Sequence, residues 1–409
     1  MTTTNLARAW WLQDMSTDVP KSQWHGSITR QAMDEKCPQY VWDSLQPDAA
    51  LVRYKILHNR LYVHQERLAY QASTEGLGPA LADRRAAFEE MALVMLYLYK
   101  LPDLEFLVSF MDETVNGCPA LSYAMEARNA SATGFLYPSY SVWRAATTPM
   151  QARSYMRCLD KSYPDENRYL KAVWRGSDTT DQVWKIFGSK ALVSTTTATW
   201  LTVRRMRLAV LGMLFPDILD AGLVQVISAD VETRAWWQTW APLKESIAFE
   251  DYNQYVAVLD LDGNSWSDRF AALLPFNTLI VKQDPDYTEY FYSWLQPGKH
   301  FLTFKEGLED LVTVMSNVLD MWRTDFKGIK TIVRNAQDFA ATKFTHPQVC
   351  LALARTLCAF RDKMHSAAKM ALQMASDGLM VMAVSCQDLG KPASLRVGQR
   401  GGTEGVKDK

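Results

Sequence analysis

Strand-like and helix-like segments alternate along the second half of this chain, and that order constrains the fold more than any other feature of the sequence. Short apolar runs typical of buried strands occur at KAVWRG (171–176), YVAVLDLDG (255–263) and TLIVKQ (278–283). Patterns typical of helices occur at DRFAALLP (268–275) and GLEDLVTVMSNVLDMW (307–322). A helix between two strands brings the chain back to the edge of the sheet where the first strand began, so the two strands run in parallel. The sequence therefore predicts an α/β protein with parallel sheets.

The first half carries a similar mixture of elements after a hairpin. LVRYKILHNRLYVH (51–64) alternates apolar and polar residues on both sides of His58 and Asn59, which favours two antiparallel strands. ADRRAAFEEMALVMLYLYK (82–100) is rich in strong helix formers, and LEFLVSF (104–110) follows it as a short strand. Because 409 residues exceed the size at which one hydrophobic core usually stops growing, two domains are expected.

Segments at the two ends of the chain differ from these units. Residues 1–48 are polar and contain several tryptophans without clear periodicity, which indicates an irregular N-terminal arm. Residues 341–387 are predicted to be helical, with one helix opening at His346 and Pro347. Residues 388–409 are glycine-rich, charged and poor in apolar side chains, so this tail is predicted to be disordered.

Charge and hydropathy argue against two classes of partner. The formal net charge is −1, which gives no electrostatic reason to expect nucleic acid or an anionic membrane surface. The short basic run RRMR (204–207) is more typical of a solvated helix face than of a nucleic-acid patch. No segment reaches the roughly 18 apolar residues of a membrane span, and the N-terminus shows no secretory signal pattern.

Metal ligation and disulfides are not favoured either. The histidines form no closely spaced ligand pair, so no metal site and no cofactor are predicted. The cysteines lack the spacing of zinc sites and are too sparse to be a disulfide framework, which favours buried free thiols. They are Cys37, Cys118, Cys158, Cys350, Cys358 and Cys386.

Polar residues follow two predicted strands at the ends where α/β sheets bind ligands. In VSFMDE (108–113), Asp112 could act as a general base or merely cap a turn, and Glu113 beside it could play either part. VWRGSDTT (173–180) follows another strand with a glycine, hydroxyl groups and an arginine fork, which suit phosphate oxygens. An ordinary polar turn after the strand is the alternative.

A third strand end, LDLDGNSWSDRF (259–270), has competing interpretations. Its aspartates and glycine suggest a calcium loop, but with Gly263 in the sixth position an EF-hand would need ligands at Val258 and Arg269, which cannot bind a cation. A second interpretation is an anion site, in which the helix that follows presents its N-terminus and Arg269 adds positive charge. In the alternative, Ser267 only caps that helix and Arg269 is solvated.

Six segments in a fixed order resemble those of a known family. They are VRYKILHNRLYV, LPDLEFLVSFMDE, LYPSYSVW (136–143), VWRGSDTT, YVAVLDLDGNSWSDRFAALL and EYFYSWLQPGKHFLTF (289–304). In these segments the chain resembles the family 90 glycosyltransferases, which include protein O-glucosyltransferases of the secretory pathway and fungal capsule xylosyltransferases. The resemblance extends from about Val52 to about Asp362.

The resemblance implies a fold and a division into domains. The family fold is GT-B, in which two Rossmann-like domains face each other across a cleft. Here residues 49–168 would form the acceptor-side domain and residues 169–340 the domain that binds the nucleotide sugar. The helices of residues 341–387 would pack back on the first domain.

The resemblance also implies roles for individual residues. Asp112 would be the general base that removes the proton of the acceptor hydroxyl. The chemistry would be inverting and would need no metal, because Arg175 and Arg269, with a helix N-terminus, would stabilise the departing UDP. The residues that would bind the UDP-sugar donor are Arg175, Gly176, Ser177, Thr179, Gly263, Ser265, Ser267, Arg269 and Glu289.

The predicted function is transfer of glucose or xylose from a UDP-sugar to a hydroxyl of a protein or glycan. The alternative is an inactive nucleotide-sugar or glycan binding module on the same fold. The family's Tyr-Lys-Tyr triplet is replaced by Tyr255, Val256 and Ala257, and Gly298 replaces a later tryptophan, so sugar and acceptor are left open. The resemblance implies the lumen of the endoplasmic reticulum or Golgi, whereas the missing signal pattern leaves the cytoplasm open.

Overall fold

The computed structural model describes residues 51–63, 79–112, 119–127, 134–179, 203–227, 235 and 242–373. This part of the chain forms two five-stranded sheets, one two-stranded sheet and a set of C-terminal helices. The α/β class is therefore confirmed. Predictions that lie outside the described residues concern the arm 1–48, the tail 388–409, helical residues 374–387, Glu113, Cys37, Cys118 and Cys386.

The first half builds a mixed sheet around a hairpin. Its elements are β1 (Leu51–Leu57), β2 (Arg60–Val63), α1 (Pro79–Leu98), β3 (Leu104–Ser109), β4 (Leu121–Ser122), β5 (Ala124–Glu126), β6 (Phe135–Leu136), α2 (Tyr140–Thr147) and α3 (Arg153–Ser162). The strand order is β2-β1-β3-β4-β6, antiparallel up to β3 and parallel beyond it. His58 and Asn59 adopt positive φ angles of 50° and 62°, which suit a tight hairpin turn, so the predicted hairpin is confirmed.

The second half builds a sheet in which all neighbouring strands are parallel. Its elements are β7 (Tyr169–Ser177), α4 (Arg204–Leu214), β8 (Leu219–Gln225), β9 (Tyr255–Asp260), α5 (Phe270–Leu273), β10 (Leu279–Gln283), β11 (Tyr287–Glu289), β12 (Leu302–Phe304), α6 (Leu311–Thr324), α7 (Phe326–Lys343) and α8 (His346–Gln373). The strand order is β12-β10-β9-β7-β8. This confirms the parallel sheet that the alternating pattern predicts.

The two sheets share one hydrophobic core. In β7, Ala172 and Trp174 pack with α4 and α6 on one face, whereas Val173 belongs to the core on the other face. The core on this other face also contains Phe106 of β3 and Val258 of β9, so it is the core that the two sheets share. Both faces of the parallel sheet are therefore covered, and the two halves are joined by continuous apolar packing.

Helix α8 contacts the first half although it lies at the other end of the described chain. The ring of Phe360 lies 5.2 Å from that of Phe135, and Thr356 Oγ1 donates a hydrogen bond to Leu136 O at 2.7 Å. Helix α8 thereby ties the first sheet to the C-terminal part of the chain. Among the described helices, none combines the length and apolar character that a membrane crossing requires.

The cysteines follow the free-thiol prediction only in part. Cys158 is exposed and Cys350 is buried, and both are free. Cys358 is disulfide-bonded, so the prediction is wrong for this residue, and its partner lies outside the described residues. Sparse spacing along a sequence does not report which cysteines approach each other in space.

The chain reverses its course across the second sheet between β7 and β9. Strand β8 lies on one side of β7, whereas β9, β10 and β12 lie on the other side. Where the connections after two neighbouring strands run to opposite sides, a crevice opens between them at the carboxyl ends of those strands. Ligands of α/β proteins bind in such crevices. Strands β7 and β9 end at Ser177 and Asp260, so two of the predicted ligand loops flank this crevice.

Candidate active site

Buried ion pairs anchor the loop that follows β9. Lys282 Nζ lies 2.8 Å from Asp260 Oδ2 and 3.3 Å from Asp262 Oδ1, and all three side chains are almost fully buried. Ser267 Oγ donates a hydrogen bond to the other oxygen of Asp260. Buried charges remain charged only when they are paired and hydrogen-bonded. The two aspartates therefore hold the loop from within, and Ser267 bonds inward instead of capping a helix.

Arg205, in the first turn of α4, joins the ends of β7 and β9. Its Nε donates to Asp262 O at 3.1 Å, and its Nη2 donates to Leu261 O at 3.1 Å. Its Nη1 donates to Ser177 O at 3.3 Å and to Thr179 Oγ1 at 2.6 Å. One guanidinium group thus spans the switch-point crevice.

The run RRMR (204–207) is not the solvated helix face that its composition predicts. Arg204 is buried, and its Nη2 lies 2.5 Å from Asp286 Oδ2, with Glu306 as a second partner. Arg205 is also buried, at 7% exposure. The prediction is wrong because the first turn of α4 begins over the strand ends, where carbonyl and carboxylate oxygens replace water around both guanidinium groups.

The charge of Arg205 has no counter-ion in the described part of the chain, since no described carboxylate lies within 4.0 Å of it. Burial, and then the positive charge of Arg269, lower the pKa of Arg205 to about 10. Four of its five N–H groups have acceptors, whereas the fifth, on Nη2, has none among the described residues. A Cβ atom at Gly263 would lie 3.2 Å from this Nη2. An anion would complete this arrangement of buried charge, free donor and glycine.

Arg269 adds a second positive charge at the crevice. Its Nη1 donates to Arg175 O at 2.7 Å, and no carboxylate of the described ranges forms an ion pair with it. The helix predicted over 268–275 is wrong in length, because α5 has only four residues and Arg269 stands at its N-cap position. So short a helix has little dipole, and the positive charge here comes from guanidinium groups.

The side chain of Arg175 is engaged entirely within the protein. Its Nη2 donates to both carboxylate oxygens of Asp220, at 3.0 Å and 3.1 Å. Its Nη1 donates to Trp174 O and Asp220 O, and its Nε donates to Glu245 O. All five N–H groups therefore have partners. Toward the crevice Arg175 contributes its carbonyl oxygen, which accepts the hydrogen bond from Arg269.

The two residues after Arg175 shape the end of β7. A Cβ atom at Gly176 would lie 2.6 Å from Cζ2 of Trp174, so a larger side chain would displace that buried ring. Ser177 is half-buried, and its carbonyl oxygen accepts from Arg205. Of the loop after β9, Ser265 Oγ is buried and has no hydrogen-bond partner among the described residues.

Asp112 stands three residues beyond β3 and contacts both halves of the molecule. Its Oδ1 lies 2.7 Å from Nη2 of Arg84 on α1. Its Oδ2 accepts a hydrogen bond at 3.3 Å from Nδ2 of Asn264, in the loop after β9. Because the Asp112 side chain is 29% exposed, a substrate hydroxyl can approach it, as a general base requires.

Glu289 lies at a contact between the two halves. Strand β11 pairs with β5, so that Glu289 stands opposite Ala124. Its Oε2 accepts a hydrogen bond from Ser139 Oγ at 2.8 Å. Burial raises the pKa of Glu289 to about 8, although the bond from Ser139 acts in the opposite direction. The carboxyl group is therefore mostly protonated at neutral pH.

The sequence model described as Glycosyl transferase family 90 matches residues 43–369, well over half of the chain. The chain belongs to this family. Its two α/β halves and C-terminal helices are the parts that the predicted GT-B-like fold requires.

Several curated proteins with similar sequences are named glucosyltransferases. Human protein O-glucosyltransferase 3 is 24% identical over 295 residues, which cover 70% of this chain and 50% of that protein. Danio rerio protein O-glucosyltransferase 2 is 22% identical over 306 residues, 72% of this chain and 52% of that protein. The Aedes aegypti O-glucosyltransferase rumi homolog is 21% identical over 297 residues, 66% of this chain and 62% of that protein. The chain spans about half the length of the first two.

A solved structure, Anabaena Alr3699/HepE in complex with UDP-glucose, is similar to the chain with 12% sequence identity and a TM-score of 0.33. The similarity covers 57% of this chain and 59% of that one. The complex of the same protein with UDP has 14% identity and a TM-score of 0.31, over 56% of this chain and 58% of that one.

Seven of the ten predicted site residues fall into two groups according to where they make contacts. Those with contacts at the crevice are Asp112, Thr179, Gly263 and Arg269. Those with side chains bonded elsewhere in the protein are Arg175, Ser267 and Glu289. In the described ranges, no group of three or more His, Cys, Asp or Glu side chains could hold a metal ion.

Sequence reasoning missed three residues of this site, Arg84, Arg205 and Asn264. Arg205 could have been found from its place at the start of α4, because the N-terminal turn of a helix that packs on a parallel sheet faces the crevice at the strand ends. Asn264 lies within the quoted loop, but its partner Asp112 is 152 residues away. Arg84 carries no local signal, since its contact with Asp112 depends on how α1 packs beside β3.

Proposed function

We propose that this chain is an inverting glycosyltransferase that moves a sugar from a UDP-sugar to a hydroxyl of a protein or glycan. The observation that carries the proposal is the buried guanidinium of Arg205. It has no carboxylate partner among the described residues, and one of its N–H groups is free beside Gly263. A diphosphate would supply both the counter-charge and the missing acceptor oxygen. Membership of family 90 supports a nucleotide sugar as the source of that diphosphate.

The diphosphate would lie between Arg205 and Arg269. Gly263 would let it approach the backbone, and the hydroxyl of Ser265, which has no partner among the described residues, would bond to it. Arg175 would act indirectly, because its donors are all occupied and its carbonyl oxygen orients Arg269. The other members of the predicted donor set, which would shape the crevice around the ligand, are Gly176, Ser177, Thr179, Ser267 and Glu289.

Asp112 would act as the general base. The acceptor hydroxyl would give its proton to Asp112 as its oxygen forms a bond to the anomeric carbon of the donor. The bond between that carbon and the β-phosphate oxygen would break, and its electron pair would leave with UDP. Attack from the face opposite UDP inverts the anomeric configuration. Arg205 and Arg269 would stabilise the charge on the departing diphosphate, the part that a metal ion plays in other enzymes.

The names of the relatives guide the choice of substrates. Human and Danio rerio relatives are named protein O-glucosyltransferases, so glucose is the first donor sugar to examine, and the hydroxyl of a protein side chain is the first acceptor. Xylose is the second donor sugar, because it lacks only the hydroxymethyl group of glucose. Residues 49–168 would present the acceptor and residues 169–340 the donor.

Replacing Asp112 with asparagine tests the proposed base. The substitution keeps the shape and the contact with Asn264 but removes the proton acceptor. We expect Asp112→Asn to lose sugar transfer and to retain UDP affinity within about threefold, since a substitution of one base alters the transition state rather than donor binding. The control is Asp83→Asn, an exposed aspartate on α1 that pairs with Arg144 and should leave transfer unchanged.

The result also separates the enzyme from a binding module on the same fold. Transfer by Asp112→Asn at the wild-type rate would exclude Asp112 as the base. Binding of UDP-sugars by the wild type without transfer or hydrolysis would favour the module instead.

A further inference from the structure

Arg84 holds the residue proposed as the general base. Its Nη2 lies 2.7 Å from Asp112 Oδ1, and its Nη1 donates a hydrogen bond to Phe110 O at 3.0 Å. One planar guanidinium therefore bonds both to the backbone at the end of β3 and to the carboxylate two residues farther on. A guanidinium with two fixed partners restricts the rotation of the bound carboxylate more than a single ion pair does.

Aromatic rings hold the guanidinium of Arg84 in place. Its Cζ lies 5.6 Å from the ring centre of Tyr123, 5.4 Å from that of Tyr140 and 5.7 Å from that of Trp266. Tyr123 also donates its hydroxyl proton to Phe110 O at 2.6 Å, so ring and guanidinium share one acceptor. With 15% of the Arg84 side chain exposed, the ion pair is only partly screened by water.

The orientation of the Asp112 carboxylate follows from these contacts. Because Oδ1 is bonded to Arg84, Oδ2 turns toward Asn264 in the loop of the second half. That loop contains Gly263 and leads to Arg269, where the donor would bind. Oδ2 is therefore the carboxylate oxygen that faces the proposed binding site of the UDP-sugar.

We propose that Arg84 is the positioning residue of the catalytic base, and that it directs Asp112 Oδ2 toward the point where the acceptor hydroxyl meets the anomeric carbon. The inference rests on the proposed function, since it assumes that Asp112 receives the proton. In this role Arg84 would act through Asp112 rather than through contact with either substrate. Through its bonds to Asp112 and Phe110 O it fixes the plane of the carboxylate, and a misplaced base loses catalysis steeply with distance.

The experiment compares Arg84→Met with Arg85→Met. Arg85 is the matched control because it is the next residue on α1 and pairs with Glu89 at 2.8 Å, without contact to Asp112. We expect Arg84→Met to lower kcat about 100-fold, as expected for a displaced catalytic group, while the KM of the donor and the Kd of UDP change less than about threefold. Arg85→Met should change kcat less than about twofold.

A conservative variant separates positioning from folding. Lysine keeps the charge of Arg84 but cannot bond to Phe110 O and Asp112 at once, so Arg84→Lys should recover part of the lost kcat, to about tenfold below wild type. Equal kcat in Arg84→Met and Arg85→Met would overturn the inference, as would a loss of kcat matched by a loss of UDP binding. If Arg84→Met does not fold, a wild-type kcat in Arg84→Lys is sufficient to overturn the inference.

The same assay distinguishes failure of this inference from failure of the proposed function. Absence of transfer by the wild type would sink the proposed function, and transfer by Asp112→Asn at the wild-type rate, measured in parallel, would sink the role of Asp112 as the base. Loss of transfer in Asp112→Asn together with full activity in Arg84→Met would sink only the role of Arg84.

Discussion

Replacing Arg269 with alanine should weaken UDP binding without weakening the fold. Among the described residues the Arg269 side chain makes one hydrogen bond, to Arg175 O, and no ion pair. Its charge also helps to lower the pKa of Arg205, so the two guanidinium groups repel each other. Arg269→Ala therefore removes one attraction and one repulsion. We expect the free energy of unfolding to change by less than about 1 kcal/mol.

The expected effect on UDP affinity is much larger. A charge-assisted hydrogen bond to a phosphate oxygen contributes about 1.5–3 kcal/mol. Because about 1.4 kcal/mol corresponds to a tenfold change in an equilibrium constant, the Kd of UDP should rise about 10- to 100-fold. Arg269→Lys keeps a point charge without the planar fork, so its Kd should lie between those of the wild type and the alanine variant.

Calorimetric titration with UDP at constant ionic strength measures the affinity, and urea unfolding without ligand measures the stability. The matched control is Arg207→Ala, which removes a half-buried arginine two residues after Arg205 on α4. Arg207→Ala should bind UDP as the wild type does. An unchanged Kd for Arg269→Ala would refute the role of Arg269, and so would a weaker Kd that appears only with several kcal/mol of lost stability.

Three further substitutions test the loop and the contact between the halves. Gly263→Ala puts a methyl group about 3.2 Å from Arg205 Nη2 and should weaken UDP binding about tenfold by titration; unchanged affinity would contradict the site. Lys282→Met leaves two aspartates buried without their cation and should lower the free energy of unfolding in urea by about 3–5 kcal/mol, whereas a loss below about 1 kcal/mol would count against this ion cluster. Folded Glu289 keeps its proton up to about pH 8, whereas the unfolded chain loses it near 4.5, so wild-type stability falls as pH rises through that interval. The free energy of unfolding of Glu289→Gln should therefore rise relative to that of the wild type, by up to about 5 kcal/mol, as the pH increases between those values. A difference that does not change with pH would contradict the raised pKa of Glu289.

The parallel sheet of the second half is predictable because its signals are local. A strand buried on both faces needs a nearly continuous apolar run, and YVAVLDL supplies one for β9. The hairpin is equally local, since His58 and Asn59 lie between two alternating strands. Strands β4 and β6 have only two residues each, too few for a periodic pattern, and they depend on pairing with β3 for their formation.

The charges at the site depend on contacts that no local pattern contains. Arg205 bonds to a carbonyl oxygen 57 residues away, and Arg175 turns from the crevice because Asp220, 45 residues away, takes its guanidinium. The helix predicted over 268–275 shrinks to four residues, and Ser267 bonds inward to Asp260 rather than capping it. Residue types in a motif therefore predict a phosphate site, whereas the three-dimensional structure shows which arginines have N–H donors left for a ligand.

The most direct test is to incubate the wild-type protein with UDP-glucose, UDP-xylose and other UDP-sugars, with and without protein and glycan acceptors. Released UDP and the mass of the acceptor are measured together, and the anomeric configuration of the product is determined by NMR. We expect one donor to release UDP in step with the addition of one sugar to a hydroxyl, with inverted configuration. Binding of UDP-sugars without transfer or hydrolysis across the whole panel, or a product of retained configuration, would contradict the proposed function.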